Sequence, residues 1–129
     1  LHAGWKGAHK KIISIALKKL ASSGSNFNDL IAIIGPCIDK KSYEVRKDFF
    51  NKFIKQEKSN KKFFNIKNNK LYFSLNNYIS DEFLKLRVKN IEIIKKERYL
   101  LNNNFFSARR SIKKKLHDYG RNISVIMIK

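Results

Sequence analysis

Apolar residues change period several times along the chain. Ile12, Ile13, Ala16, Leu17 and Leu20 recur at helical spacing, which predicts a helix from Ala8 to the stop at Ser22-Ser23-Gly24. The run from Leu30 to Ile34, closed by Gly35-Pro36, reads as a buried strand, and Tyr43-Glu44-Val45 as a second short one. Phe49, Phe50, Phe53 and Ile54 fit one helix face, and the polar residues 55–62 read as a loop. Leu71-Tyr72-Phe73 enters as a strand. Ser74 is placed to cap a helix burying Leu75, Tyr78, Ile79, Phe83 and Leu86, with Asn90 at its end. Residues 91–94 read as a strand and 102–104 as a loop. A final buried strand is predicted over residues 123–128, after a turn at Gly120. Helices alternating with short apolar strands predict an α/β or α+β fold, a layered sandwich of short strands and helices.

The 129 residues suit one domain or part of one, and a hydrophobic fraction of 43% with 10 Phe and 5 Tyr suffices for a core. No run of 18 apolar residues offers a membrane span. Cys37 is the single cysteine, so no internal disulfide forms, which fits a cytoplasmic setting. Lys and Arg number 29 against 10 Asp and Glu, a formal charge of +19. Such a charge attracts phosphate-bearing partners. The lysines are nevertheless spread along the whole length, which argues for a solvated surface and against specific nucleic-acid recognition.

The candidate chemistry starts at the first residues. His2 precedes a Gly4-Trp5-Lys6-Gly7 turn and a helical stretch, a place for a metal ligand or a catalytic base; alone it is also a terminal histidine without a partner. Gly4 and Gly7 allow close backbone approach, and helix N–H groups suit an anion such as phosphate. Trp5 is either a base-stacking ring or a packed one. Cys37 reads as a small buried residue, and His9 and His117 as solvated. Arg109 and Arg110 are a guanidinium pair suited to phosphate, or a brace for a carboxylate such as Asp118. Phe105 and Phe106 read as core residues. Tyr43 and Glu44 are placed to orient a substrate, or are simply an inward Tyr and a surface Glu.

Four segments in order carry a resemblance. They are His2-Ala3-Gly4-Trp5-Lys6-Gly7, then Ile34-Gly35-Pro36-Cys37-Ile38 with Tyr43-Glu44-Val45, then Phe105-Phe106-Ser107-Ala108-Arg109-Arg110, then Tyr119-Gly120-Arg121. Together they resemble the laccase-domain family, also called multicopper polyphenol oxidase-like or purine nucleoside phosphorylase proteins. The resemblance implies a zinc enzyme that cleaves adenosine, inosine or methylthioadenosine with phosphate and also deaminates adenosine. Copper and a polyphenol oxidase reaction belong to another description of the same family. It further implies a metal site of a His, a Cys and the His of the His-Ala-Gly-Trp motif. Of these His2 alone is in the chain, and the other two are expected upstream of Leu1. Phosphate or substrate contacts are expected from Gly4, Lys6, Gly7, Arg109 and Arg110. Lys6 stands where the family usually has Arg, Glu97-Arg98 where many members have Cys-Thr, and Ala108 where an aromatic is usual. The opening motif sits at residue 1 and the one Met is Met127, so the expectation is the C-terminal portion of a single domain, inactive alone. A basic nucleic-acid-binding domain is the alternative from another class.

Overall fold

A computed structural model describes residues 1–100, 102, 104–117 and 120–127. The elements in chain order are α1 (Trp5–His9), α2 (Ile12–Ser22), β1 (Ile31–Ile34), β2 (Glu44–Val45), α3 (Lys47–Gln56), β3 (Phe64–Lys67), β4 (Lys70–Phe73), α4 (Leu75–Lys85), β5 (Asn90–Ile93) and α5 (Ala108–Lys113). Short 3₁₀ turns cover Phe27–Asp29 and Lys58–Phe63. Strands β1 and β5 pair in parallel, and β2, β4 and β3 form an antiparallel sheet in that order. The mixed helix-and-strand class agrees with the sequence.

The core is aromatic. Phe53 of α3, Phe73 of β4 and Tyr78 of α4 are fully buried, with Val88 beside them. Phe53 lies 4.8 Å from Phe73 and 5.2 Å from Tyr78 between ring centroids. Each such pair adds about 0.5–1.5 kcal/mol beyond its burial. Phe53→Ala should therefore cost roughly 3–5 kcal/mol.

Several predicted boundaries move. The first helix is broken: α1 and α2 are separated by Lys11, a non-glycine residue at φ 60°. The ammonium of Lys11 reaches the buried Glu82 carboxylate at 2.6 Å and the Tyr78 hydroxyl at 3.4 Å. That long-range contact, invisible to local periodicity, holds the strained turn. Part of the 55–62 loop is instead the end of α3 and a 3₁₀ segment, because Asn60 is buried and donates to the Phe53 carbonyl at 2.9 Å. The β3–β4 hairpin turns on Asn68 and Asn69, both at positive φ, as a two-residue loop requires. Ser74 does precede a helix, but its hydroxyl donates to Asn76 and caps nothing. Helix α4 ends at Lys85, followed by Arg87 in the left-handed region, and Asn90 begins β5.

Two expectations of burial fail. Strand β1 forms, but Ile31 and Ile33 are exposed on one face, which no second layer among the described residues covers. Residues 123–127 form no strand and are exposed, with Ile123 at 88%. No described strand supplies them with backbone partners, and Ile128 lies outside the described residues.

Candidate functional site

The 2–7 loop enters α1 through Gly4, which is extended (φ −64°, ψ 165°) and whose carbonyl accepts from Ala8 N–H at 2.9 Å. The imidazole of His2 folds back over this glycine: a Cβ on Gly4 would sit 3.0 Å from His2 Nε2. A side chain there would require the ring to give by a few tenths of an ångström. Gly7 differs. A Cβ there would make ordinary contacts of 3.6–3.7 Å with Ile12 and the His2 carbonyl, and Gly7 lies inside α1 instead of opening it.

Trp5 is a packing residue. Its ring lies 5.0 Å from Phe49 of α3, and the ammoniums of Lys6 and Lys52 each sit 5.8 Å from its centroid. Lys6 and His2 are exposed and make no hydrogen bond or ion pair among the described residues. His9 departs from the solvated expectation, half-buried edge-on to Phe53 at 5.0 Å with Nε2 3.4 Å from the Lys52 carbonyl. His117 is exposed as expected.

The arginine pair is placed otherwise. Helix α5, which local periodicity does not reveal, is capped by Ser107, whose hydroxyl accepts from Arg110 N–H at 3.4 Å. Arg110 donates to three carbonyls, those of Arg98 (3.2 Å), Tyr99 (3.0 Å) and Phe105 (2.6 Å). Arg109 donates to the Glu44 carbonyl, and its guanidinium lies 5.1 Å from the Tyr43 ring. Both guanidiniums thus tie α5 to neighbouring backbone. Asp118, the carboxylate considered as a partner, lies outside the described residues, as does Tyr119.

Tyr43 is buried under this contact. Burial pushes its phenol up to about 12, with the charge of Arg109 working in the opposite direction. Its ring also packs 6.1 Å from Phe49. A line of contacts therefore runs Arg109–Tyr43–Phe49–Trp5, joining the α5 segment to the 2–7 loop. Glu44 is half-exposed and paired with Lys70 at 3.1 Å. Cys37 is half-buried, with burial raising its thiol, and its backbone bridges to Glu97. The Arg98 N–H donates to the Cys37 carbonyl at 3.1 Å.

The sequence reading overlooked Asn122. Its amide accepts from Phe106 N–H at 2.9 Å and donates to the Phe106 carbonyl at 2.8 Å. Gly120 faces the Phe106 ring so closely that a Cβ would meet it at 2.5 Å. Phe106 itself is exposed instead of core, because its ring covers the glycine at the surface. An Asn two residues after the glycine was the available signal.

A zinc ion needs about three protein donors and an open position. His2 offers one nitrogen. Among the described residues no group of three or more His, Cys, Asp or Glu is arranged to hold a metal ion. Likewise, no described helix is long and apolar enough to cross a membrane.

Comparison with known proteins gives a consistent result. The family described as multi-copper polyphenol oxidoreductase laccase matches residues 1–129. A purine nucleoside phosphorylase of Rickettsia conorii is 36% identical over 131 residues, covering 99% of this chain and 53% of that protein. One from Rickettsia prowazekii is 34% identical over 130 residues, with the same coverage. The chain thus spans about half the length of the curated relatives it matches. A crystal structure of the Bacillus licheniformis hypothetical protein YfiH superposes with a TM-score of 0.75 at 29% identity, covering 88% of this chain and 44% of that one.

Proposed function

The chain belongs to the multi-copper polyphenol oxidoreductase laccase family, and from that premise we propose that the whole protein is a purine nucleoside phosphorylase. The observation that carries this reading is the name shared by two relatives that match nearly the entire chain. The 2–7 loop supports it, since it holds an exposed imidazole and an exposed ammonium with no hydrogen bond or ion pair among the described residues, beside a helix start.

In phosphorolysis a phosphate oxygen forms a bond to the anomeric ribose carbon. The bond from that carbon to the purine nitrogen breaks, and its electron pair stays with the base, which takes up a proton. The products are a free purine and ribose 1-phosphate. In this reading Lys6 supplies positive charge to the phosphate, while Gly4 admits the His2 imidazole and Gly7 packs inside α1. Arg109 and Arg110 border the site and hold its wall through their carbonyl contacts. His2 would be one zinc ligand, with the remaining donors supplied by polypeptide outside these residues. A bound zinc ion supplies Lewis acidity. The substrates proposed are adenosine, inosine and methylthioadenosine. Deamination of adenosine, in which water adds at the purine C6 and the C6–amino bond breaks to release ammonia and inosine, belongs to the same proposal, as do the cytoplasmic setting and the placing of residues 1–129 as one portion of a larger domain.

The test incubates the full-length protein with adenosine, with and without inorganic phosphate. Adenine and ribose 1-phosphate in equal amounts, formed only with phosphate, are expected. Adenine formed without phosphate, or oxygen uptake with a phenol and no nucleoside cleavage, would overturn the proposal; the second outcome fits the polyphenol oxidoreductase reading.

A further inference from the structure

The core face of the three-stranded sheet continues past the helix that covers it. Val45, Leu71 and Ile66 stand in register across β2, β4 and β3. Side chains alternate along a strand, so Ile66 shares its face with Phe64, and Leu71 with the buried Phe73. This row is therefore core-facing. Phe50 and Lys47 of α3 border the row, yet Ile66 remains 75% exposed. The result is a groove of about 460 Å³ between helix and sheet. That volume falls within the range of small-molecule sites, about 300–1,000 Å³, and most of the groove's surface is apolar, as in such sites.

The rim is cationic. Lys47, Lys61 and Lys70 line it together with a single carboxylate, Glu44, which is engaged by Lys70 at 3.1 Å. Lys47 and Lys61 are exposed and have no carboxylate partner among the described residues. The groove thus pairs an apolar floor with two unneutralised ammoniums. We propose that it binds a small amphiphilic anion of the medium-chain carboxylate kind. The alkyl body would lie along Val45, Leu71, Ile66 and Phe50, and the carboxylate would sit between Lys47 and Lys61. A purine nucleoside, polar around its whole edge, does not match this floor, so the proposal is independent of the phosphorylase reading.

The probe is decanoate, with decanol as its uncharged counterpart, titrated below their aggregation limits and followed by backbone amide shifts. Decanoate is expected to shift Val45, Ile66 and Leu71 and to bind about tenfold or more tightly than decanol, the scale of two partly exposed charge contacts. Replacing Lys47 and Lys61 together with Gln should weaken decanoate about tenfold and leave decanol unchanged. Ile66→Asn, at an exposed position, should weaken both ligands without unfolding the chain. Equal affinity for the two probes, shifts centred on Ile31 and Ile33, or no binding at all would overturn the proposal. So would concentration-dependent shifts at Ile66 without ligand, which would assign the groove to a second copy of the chain.

Discussion

Two cationic segments of this chain share the resemblance to one family, and they are organised in opposite ways. In the α5 segment, the Arg109 and Arg110 side chains are turned onto backbone carbonyls of β2, residues 98–99 and Phe105. In the 2–7 loop, His2 and Lys6 have no polar partner among the described residues and stand exposed beside a glycine that the imidazole covers. A donor already satisfied by the fold has less to give a ligand than one facing solvent. On the proposed function, the first segment braces the fold and the second carries the chemistry.

The sharpest break of that contrast is at His2. In the full-length protein, His2→Ala should abolish bound zinc, measured by metal analysis; full occupancy in the variant would remove His2 from the metal site. The next effect belongs to the braced side. The Tyr43 phenol is raised from its ordinary 10 to about 12. Both folded and unfolded states keep the proton below pH 10, and only the unfolded chain loses it as pH rises toward 12. Stability should therefore fall across that window, by on the order of 2 kcal/mol. Denaturant unfolding of Tyr43→Phe, which cannot ionise there, should show the smaller loss. Arg110→Ala removes three carbonyl contacts and should lower stability by about 2 kcal/mol, with Arg110→Lys restoring only part because the planar fork is lost. Thermal unfolding checks this, and an unchanged Tm would end the bracing assignment. The smallest effect separates the two glycines of the loop. Gly7→Ala has room and lies in a helix, so it should be neutral or stabilising by up to ~1 kcal/mol. Gly4→Ala should instead displace the His2 ring and weaken zinc binding; equal zinc affinity in both variants would contradict the geometry.

The same contrast explains what could be read from the chain. The aromatic face of α3 and the inward row of α4 are periodic signals set by burial, and Phe53 and Tyr78 occupy the core as read. The break at Lys11 depends on Glu82, 71 residues away, and no local pattern announces it. Asn60 reads as loop because it is polar, yet its amide is buried on a carbonyl. The burial expected of residues 123–127 followed from their apolar composition, but burial needs a neighbour, and none of the described strands reaches them. At the site, residue type named the guanidinium pair but not its partners. Charge is visible in a sequence, whereas commitment to a carbonyl is a property of the fold.

The most direct test compares Lys6→Ala with Arg110→Ala in the full-length protein, measuring phosphorolysis with phosphate varied and deamination without phosphate on the same preparations. Lys6→Ala should raise the KM for phosphate up to about fivefold, the scale of one partly screened charge contact, and leave deamination and Tm unchanged. Arg110→Ala should lower both reactions equally, together with Tm. A rise in phosphate KM confined to Arg110→Ala, with Tm and deamination intact, would contradict the account.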